Sequence, residues 1–315
     1  MASDCRDFHF VRSGFLDLKT ELNPMEPGDV AAHGQRPAAG AEGVCVICFD
    51  AHPPPIQSGC ACRADGGLAH VSCHIAKAVA QQEHRGDTVW WLCQTCNQRF
   101  TGATEMALAD AWWLRARNQA EGSAERLGAA VNLASSLSNH GKHVEAAVIE
   151  REVLAVQTRL LGTEHASTLW AAANLARSLS RLGRYTEAEQ MQREVLAVQT
   201  RVLGTEHPYT LWVAASLAST LFCQRMYAEA EHLQREVLAV QTRLLGTEHA
   251  STLWTTANLA RALFRLGNRA EAERMLLEVL AIQTRVLGAG HPDVRWVADL
   301  AESLRIEGDC VEETP

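Results

Sequence analysis

The chain has 315 residues, room for roughly one to three domains, and its nearly half apolar, one-fifth charged composition is that of a soluble globular protein. A net charge of -8 argues against general nucleic-acid binding, which needs a basic face to neutralise phosphate. No window approaches the roughly 20 apolar residues of a bilayer span, and Asp4, Arg6, Asp7 and His9 interrupt any early apolar stretch. The expectation is a soluble protein of the cytoplasm or nucleus, with no membrane or nucleic-acid partner.

In chain order, residues 1–40 mix charge with Pro24, Pro27 and Pro37, which reads as a disordered leader with one helical turn near Phe15–Leu22. Residues 41–100 hold seven of the ten cysteines, and such clustering in an intracellular chain favours metal over disulfides. Residues 101–123 read as a connecting helix, centred on 104–120, with Leu108, Ala111, Trp112 and Ala116 on one face. Residues 124–308 repeat themselves, and 309–315 form a tail.

The metal-ligand spacing is Cys45-x-x-Cys48, eleven residues, Cys60-x-Cys62, seven residues, His70-x-x-Cys73, nineteen residues, Cys93-x-x-Cys96. Eight soft donors in four pairs suit two tetrahedral zinc ions, because one tight turn can aim both members of a pair at one ion. The pairs could bind sequentially, or the first with the third and the second with the fourth. The pattern resembles the RING-CH variant of the RING zinc fingers, and that resemblance implies the second layout: a cross-brace with one zinc on Cys45, Cys48, His70 and Cys73 and the other on Cys60, Cys62, Cys93 and Cys96. The PHD finger shares the ligand order and an aromatic where Trp91 stands. With every coordination position filled, the two zinc ions are structural. The RING resemblance further implies docking of a ubiquitin-conjugating enzyme, with Ile47 and either Trp91 or Leu92 at the contact; packing of a miniature core is the other role open to Trp91.

The phrases REVLAVQTRLLGTEH (151–165), REVLAVQTRVLGTEH (193–207) and REVLAVQTRLLGTEH (235–249) recur at a step of 42 residues, with a weaker copy at 277–291. A fixed period of this size indicates a solenoid of helix pairs that bury their faces only by stacking. In the second unit, Leu175, Leu179 and Leu182 stripe the first helix and Gly183 ends it. The partner helix is expected to start near Thr186, where Thr186 and Glu189 have the spacing of a capping box, with an apolar stripe through Ala188, Met191, Val195, Val198 and Val202. The fifth copy is shortened after Trp296 and reads as a capping helix. The segment TLWAAANLARSLSRLGRYTEAEQMQREVL (168–196) and the LG-x-x-H loops resemble tetratricopeptide repeats, in the 42-residue form of kinesin light chains.

The expected fold class is therefore mainly α: a small two-zinc cross-brace module followed by an α-solenoid. In such repeats the first helices line a peptide groove, here with Asn132, Asn174, Asn258, Arg177, Arg181, Arg261 and Arg265. The arginines would favour a partner bearing acidic residues. Trp170, Trp212 and Trp254 are expected to pack between repeats; His165, His207, His249 and His291 are expected in loops, too far apart to share an ion. The leading functional expectation is a soluble RING-type ubiquitin ligase with no covalent catalytic residue, whose repeats bind a substrate or adaptor. A non-enzymatic scaffold is the alternative. A kinesin-light-chain-like cargo adaptor ranks third, since no heptad coiled coil precedes the repeats.

Overall fold

The computed structural model describes residues 43–60, 62 and 67–312. The expected leader, its helical turn and Cys5 lie outside the described residues. The chain divides into two compact units, with the boundary between Ser178 and Leu179.

In the first unit, β1 (Ile56–Gln57) pairs antiparallel with β2 (Leu68–Ala69), in the register Ile56 to Ala69. Helix α1 (Val71–Arg85) follows, then a 3-10 turn at Asp87–Trp90 and a bridge between Leu92 and Arg99. Helices α2 (Gly102–Ala116), α3 (Ala124–Asn139) and α4 (His143–Leu161) come next, and α5 (Ala166–Arg181) begins here.

Helix α2 is apolar on two faces. Leu108, Trp112 and Ala116 join Ala78, Val89, Trp90, Cys93 and Phe100 from the cysteine-rich region and Ala129 from α3. Ala109, one residue round the helix, packs with Leu133, Leu137 and Ala146 of α3 and α4. Trp90 and Trp112 are 0% and 1% exposed, with rings parallel to within 3° at 6.1 Å. Gly128 on α3 makes room for this stack, since a Cβ there would stand 3.1 Å from the Trp112 ring. The segment read as a connector is thus the wall shared by both neighbours.

The second unit holds α6 (Tyr185–Leu203), α7 (Pro208–Cys223), α8 (Tyr227–Leu245), α9 (Ala250–Arg265), α10 (Arg269–Leu287) and α11 (Pro292–Glu312). Ala188, Ala218, Ala230 and Ala260 are fully buried, as their small size in the repeat demands for close helix approach. The expected capping helix is α11, whose Val297 and Leu304 close the core of Leu259, Leu263, Leu276 and Val279. It runs to Glu312, past the boundary expected at 308.

Two expectations for α6 are corrected. The helix starts at Tyr185 after Arg184, with no side-chain cap, so Thr186 lies inside it and no capping box forms. Its buried face is Ala188, Gln192, Val195 and Gln199, while Val202 is 52% exposed. The face follows positions i, i+4, i+7 and i+11, and the repeat puts glutamines on it.

The recurring histidines are helix N-caps. Backbone N–H groups of Ser167, Tyr209, Ser251 and Asp293 donate to Nδ1 of His165, His207, His249 and His291, each at 3.2 Å. Each ring satisfies a donor that the first helical turn leaves without an intrahelical acceptor. His207→Ala is expected to lower stability by about 1 kcal/mol, and His207→Asn to restore most of it; urea unfolding of the three proteins checks this.

Candidate metal centres and repeat grooves

The first and fourth cysteine pairs sit in the same backbone turn. Phe49 N–H donates to the Cys45 carbonyl and Asn97 N–H to the Cys93 carbonyl, both at 2.8 Å, and Phe49 and Asn97 adopt φ of 62° and 54°. The returning backbone then closes each turn, Cys45 N–H on Asp50 O at 2.9 Å and Cys93 N–H on Gln98 O at 2.8 Å. Each turn points two sulfurs to one side. The start of α1 brings in His70 and Cys73, and the stretch after β1 brings in Cys60 and Cys62. Gly59, at φ +71°, lies so close to Thr101 that a Cβ would stand 2.4 Å from its carbonyl oxygen. Thr101 Oγ1 donates to Gly59 O at 2.7 Å, tying the second pair to the start of α2.

The eight donors gather as two sets, Cys45, Cys48, His70 and Cys73, and Cys60, Cys62, Cys93 and Cys96, with all donor atoms in a set within 4.8 Å of one another. His70 Nδ1 lies 3.4 Å from Cys48 Sγ and 3.6 Å from Cys73 Sγ, and Cys62 Sγ lies 3.7 Å from Cys93 Sγ. A tetrahedral zinc with ordinary bond lengths has N–S edges of about 3.6 Å and S–S edges of about 3.8 Å. The donor set therefore fits that ion. His70 Nε2 faces Pro53 O at 2.5 Å, which places the proton there and leaves Nδ1 as the ligating atom.

Thiol electrostatics point the same way. Burial raises Cys45, but N–H groups of Cys48, His70 and Ile47 outweigh it and bring the thiol down to about 6. Cys93 behaves alike, with burial opposed by N–H groups of Cys96 and Thr95, and falls to about 7. Burial and the crowding of neighbouring thiols instead push Cys73 up to about 11 and raise Cys60 and Cys62. Each set holds at least one sulfur ready to ionise beside others that resist it, a conflict that a bound cation removes.

Ile47 and Leu92 line one shallow cleft with Val46, Lys77, Gln81 and Thr95. Trp91 is placed elsewhere, tilted against Trp112 at 5.5 Å, so it packs the shared core.

On the repeats, two of the three asparagines expected to line the groove, Asn174 and Asn258, bond to their own helices. Asn174 Nδ2 donates to Trp170 O at 3.1 Å and Asn258 Nδ2 to Trp254 O at 3.0 Å. Their Oδ1 atoms accept from Arg177 and Arg261 at 3.4 and 3.3 Å. Ser216, where the repeat pattern has asparagine, makes the same bond to Trp212 O at 2.9 Å. Arg261 is 6% exposed, its guanidinium 4.5 Å above the Phe222 ring. Asn132, Arg181 and Arg265 are half-buried. Trp212 and Trp254 are buried, as expected of packing residues. One residue of this region escaped the sequence reading: Glu150, which is 5% exposed on α4 and stands where the next two copies carry Gln192 and Gln234. A break in an otherwise regular repeat column was the available signal.

Fold and site together define a helical-repeat interaction protein with a cysteine- and histidine-rich candidate metal region before its repeats. The family model described as tetratricopeptide repeat matches residues 125–199, 172–242 and 214–285, together just over half of the chain, and the chain belongs to that family. Among solved structures it is similar to the nearly identical TPR-like repeats of a Podosopora anserina protein assigned as a kinesin light chain, at 27% identity over 69% of this chain and 96% of that one, with a TM-score of 0.47. A variant form of those repeats gives 27% identity, 69% and 95% coverage and a TM-score of 0.48. BtubC (BKLC) from P. vanneervenii gives 18% identity, 70% and 91% coverage and a TM-score of 0.51, a likeness of fold. The comparison with curated proteins gives no match. No helix among the described residues is long and apolar enough to cross a membrane.

Proposed function

We propose that the chain is a RING-type ubiquitin ligase with two structural zinc ions, whose repeats hold the protein to be modified or an adaptor for it. The interleaved gathering of the four ligand pairs carries this reading. The zinc ions supply cross-linking and charge neutralisation, without which a region with so few large aliphatics lacks a sufficient core. The cleft of Ile47 and Leu92 would receive the conjugating enzyme, flanked by exposed apolar side chains at Val46 and Phe49. Catalysis would be positioning of a loaded thioester, with no covalent step on this chain. Peptide-binding faces would lie on α5, where Arg177 and Arg181 reside, and on α9, where Arg261 and Arg265 reside.

The test is autoubiquitination by the full chain against a panel of conjugating enzymes. Ile47→Ala should reduce the rate at least tenfold, about 1.4 kcal/mol of lost docking, with zinc content unchanged. If wild type and variant are equally silent with every enzyme, the ligase reading fails. What remains is a scaffold, for which the peptide-binding family fold is the supporting observation.

A further inference from the structure

We propose that the cleft between α3 and α5 is a lysine pocket, in which a ligand ammonium takes the place of one water and donates to the buried carboxylate of Glu150. The proposal rests on the peptide-groove reading and names one side chain that the groove would select. The floor is Glu150 and Val153 of α4; Val131 and Ser135 of α3 form one wall, Ala171 and Asn174 of α5 the other. The space left measures about 10 Å³, room for one water. Into it faces a residue 5% exposed, whose Oε2 has no hydrogen-bond partner. Of the two polar residues on the walls, Asn174 gives its amide N–H to Trp170 O and its Oδ1 accepts from Arg177, and Ser135 makes no bond to Oε2. The Ser178 hydroxyl acts on the same carboxyl, and Oε2 is the oxygen left over, open to a donor that enters the space.

The chemistry of that donor follows from size and charge. Burial lifts the Glu150 carboxyl to about 7, and the Arg177 guanidinium and Ser178 hydroxyl only partly oppose this. Arg177 is the one charged group that acts on it among the described residues. The ionised form is thus under-compensated, and a cation in direct contact would favour it. An ammonium group has the bulk of a water molecule and a full charge, whereas a planar guanidinium is too wide for such a space. In the next two repeats Gln192 and Gln234 present a neutral amide at this position, so the selectivity belongs to the first cleft. Ligand capture would also expel the Glu150 proton, so affinity should rise as pH increases through about 7.

The test uses the zinc-loaded full chain labelled with carbonyl-¹³C glutamate. The Glu150 carboxyl signal is the one missing from Glu150→Gln, a variant expected to fold because its own repeats carry glutamine there. At constant ionic strength, methylammonium should move the Glu150 midpoint to lower pH and methylguanidinium should leave it in place. Equal shifts with both cations, or no shift with either, would mean the space holds only water and would overturn the proposal. A second arm measures binding of a random-sequence lysine-containing peptide library and its lysine-to-arginine counterpart. Glu150→Gln should weaken retention of the first about tenfold and leave the second unchanged; equal retention of the two libraries by wild type counts against the pocket. A methylammonium response with no peptide retained at all supports the pocket and sinks the groove reading instead.

Discussion

Stripping the metal from the full chain is expected to unfold more than the cysteine-rich region. Each of the two proposed zinc sites would contribute on the order of 10 kcal/mol to folding, far beyond what the short strands β1 and β2 and one helix can replace. The loss does not stop at Cys96, because Trp90 and Cys93 share a core with Leu108, Trp112 and Ala116 of α2 and with Ala129 of α3. A strong chelator should therefore remove the near-ultraviolet signal of the stacked Trp90–Trp112 pair, and α2 should lose its protection from hydrogen exchange along with α1. Elemental analysis before and after tracks the metal. Should chelated protein keep its exchange protection throughout residues 71–116, the two ligand sets do not hold this region together.

Trp112→Ala carries the second large effect. The side chain is 1% exposed and touches both tryptophans of the preceding turn as well as the space above Gly128. Truncating a buried tryptophan typically costs about 3–5 kcal/mol. Because α2 faces two ways, the damage should register on both sides: weaker zinc retention in a competition with a chromophoric chelator, and lower protection of α3. A variant that loosened α3 yet held zinc as tightly as wild type would show that the two sides are uncoupled.

Much of this was legible in the sequence because the chemistry leaves few options. Four donor pairs separated by one or two residues show which side chains can act together, and a 42-residue step betrays a stacked array of helix pairs. The pairing order of the ligands needed the resemblance, since spacing alone leaves the sequential layout open. What failed to show was polar residues in apolar roles. Gln192 and Gln199 sit on the buried face of α6 because helical phase, not polarity, decides which side chains turn inward. The histidine caps were hidden because the sequence signature of an N-terminus is a small oxygen-bearing side chain, and imidazole is not part of it. Trp91 was ambiguous for want of a partner, and the ring it packs against, Trp112, lies outside the ligand motif.

The two-sided α2 has a mechanical consequence. A ligase whose recruiting head swings on a loose tether lets its client's lysines compete across a wide volume, set by tether length. Here the ligand-bearing region and the opening repeats are built into one block, so the distance from the Ile47 cleft to a peptide held between α3 and α5 would be a property of the architecture. In the proposed ligase such a block would work as a jig rather than a leash, and the acceptor sites within its fixed reach would form a narrow, reproducible set.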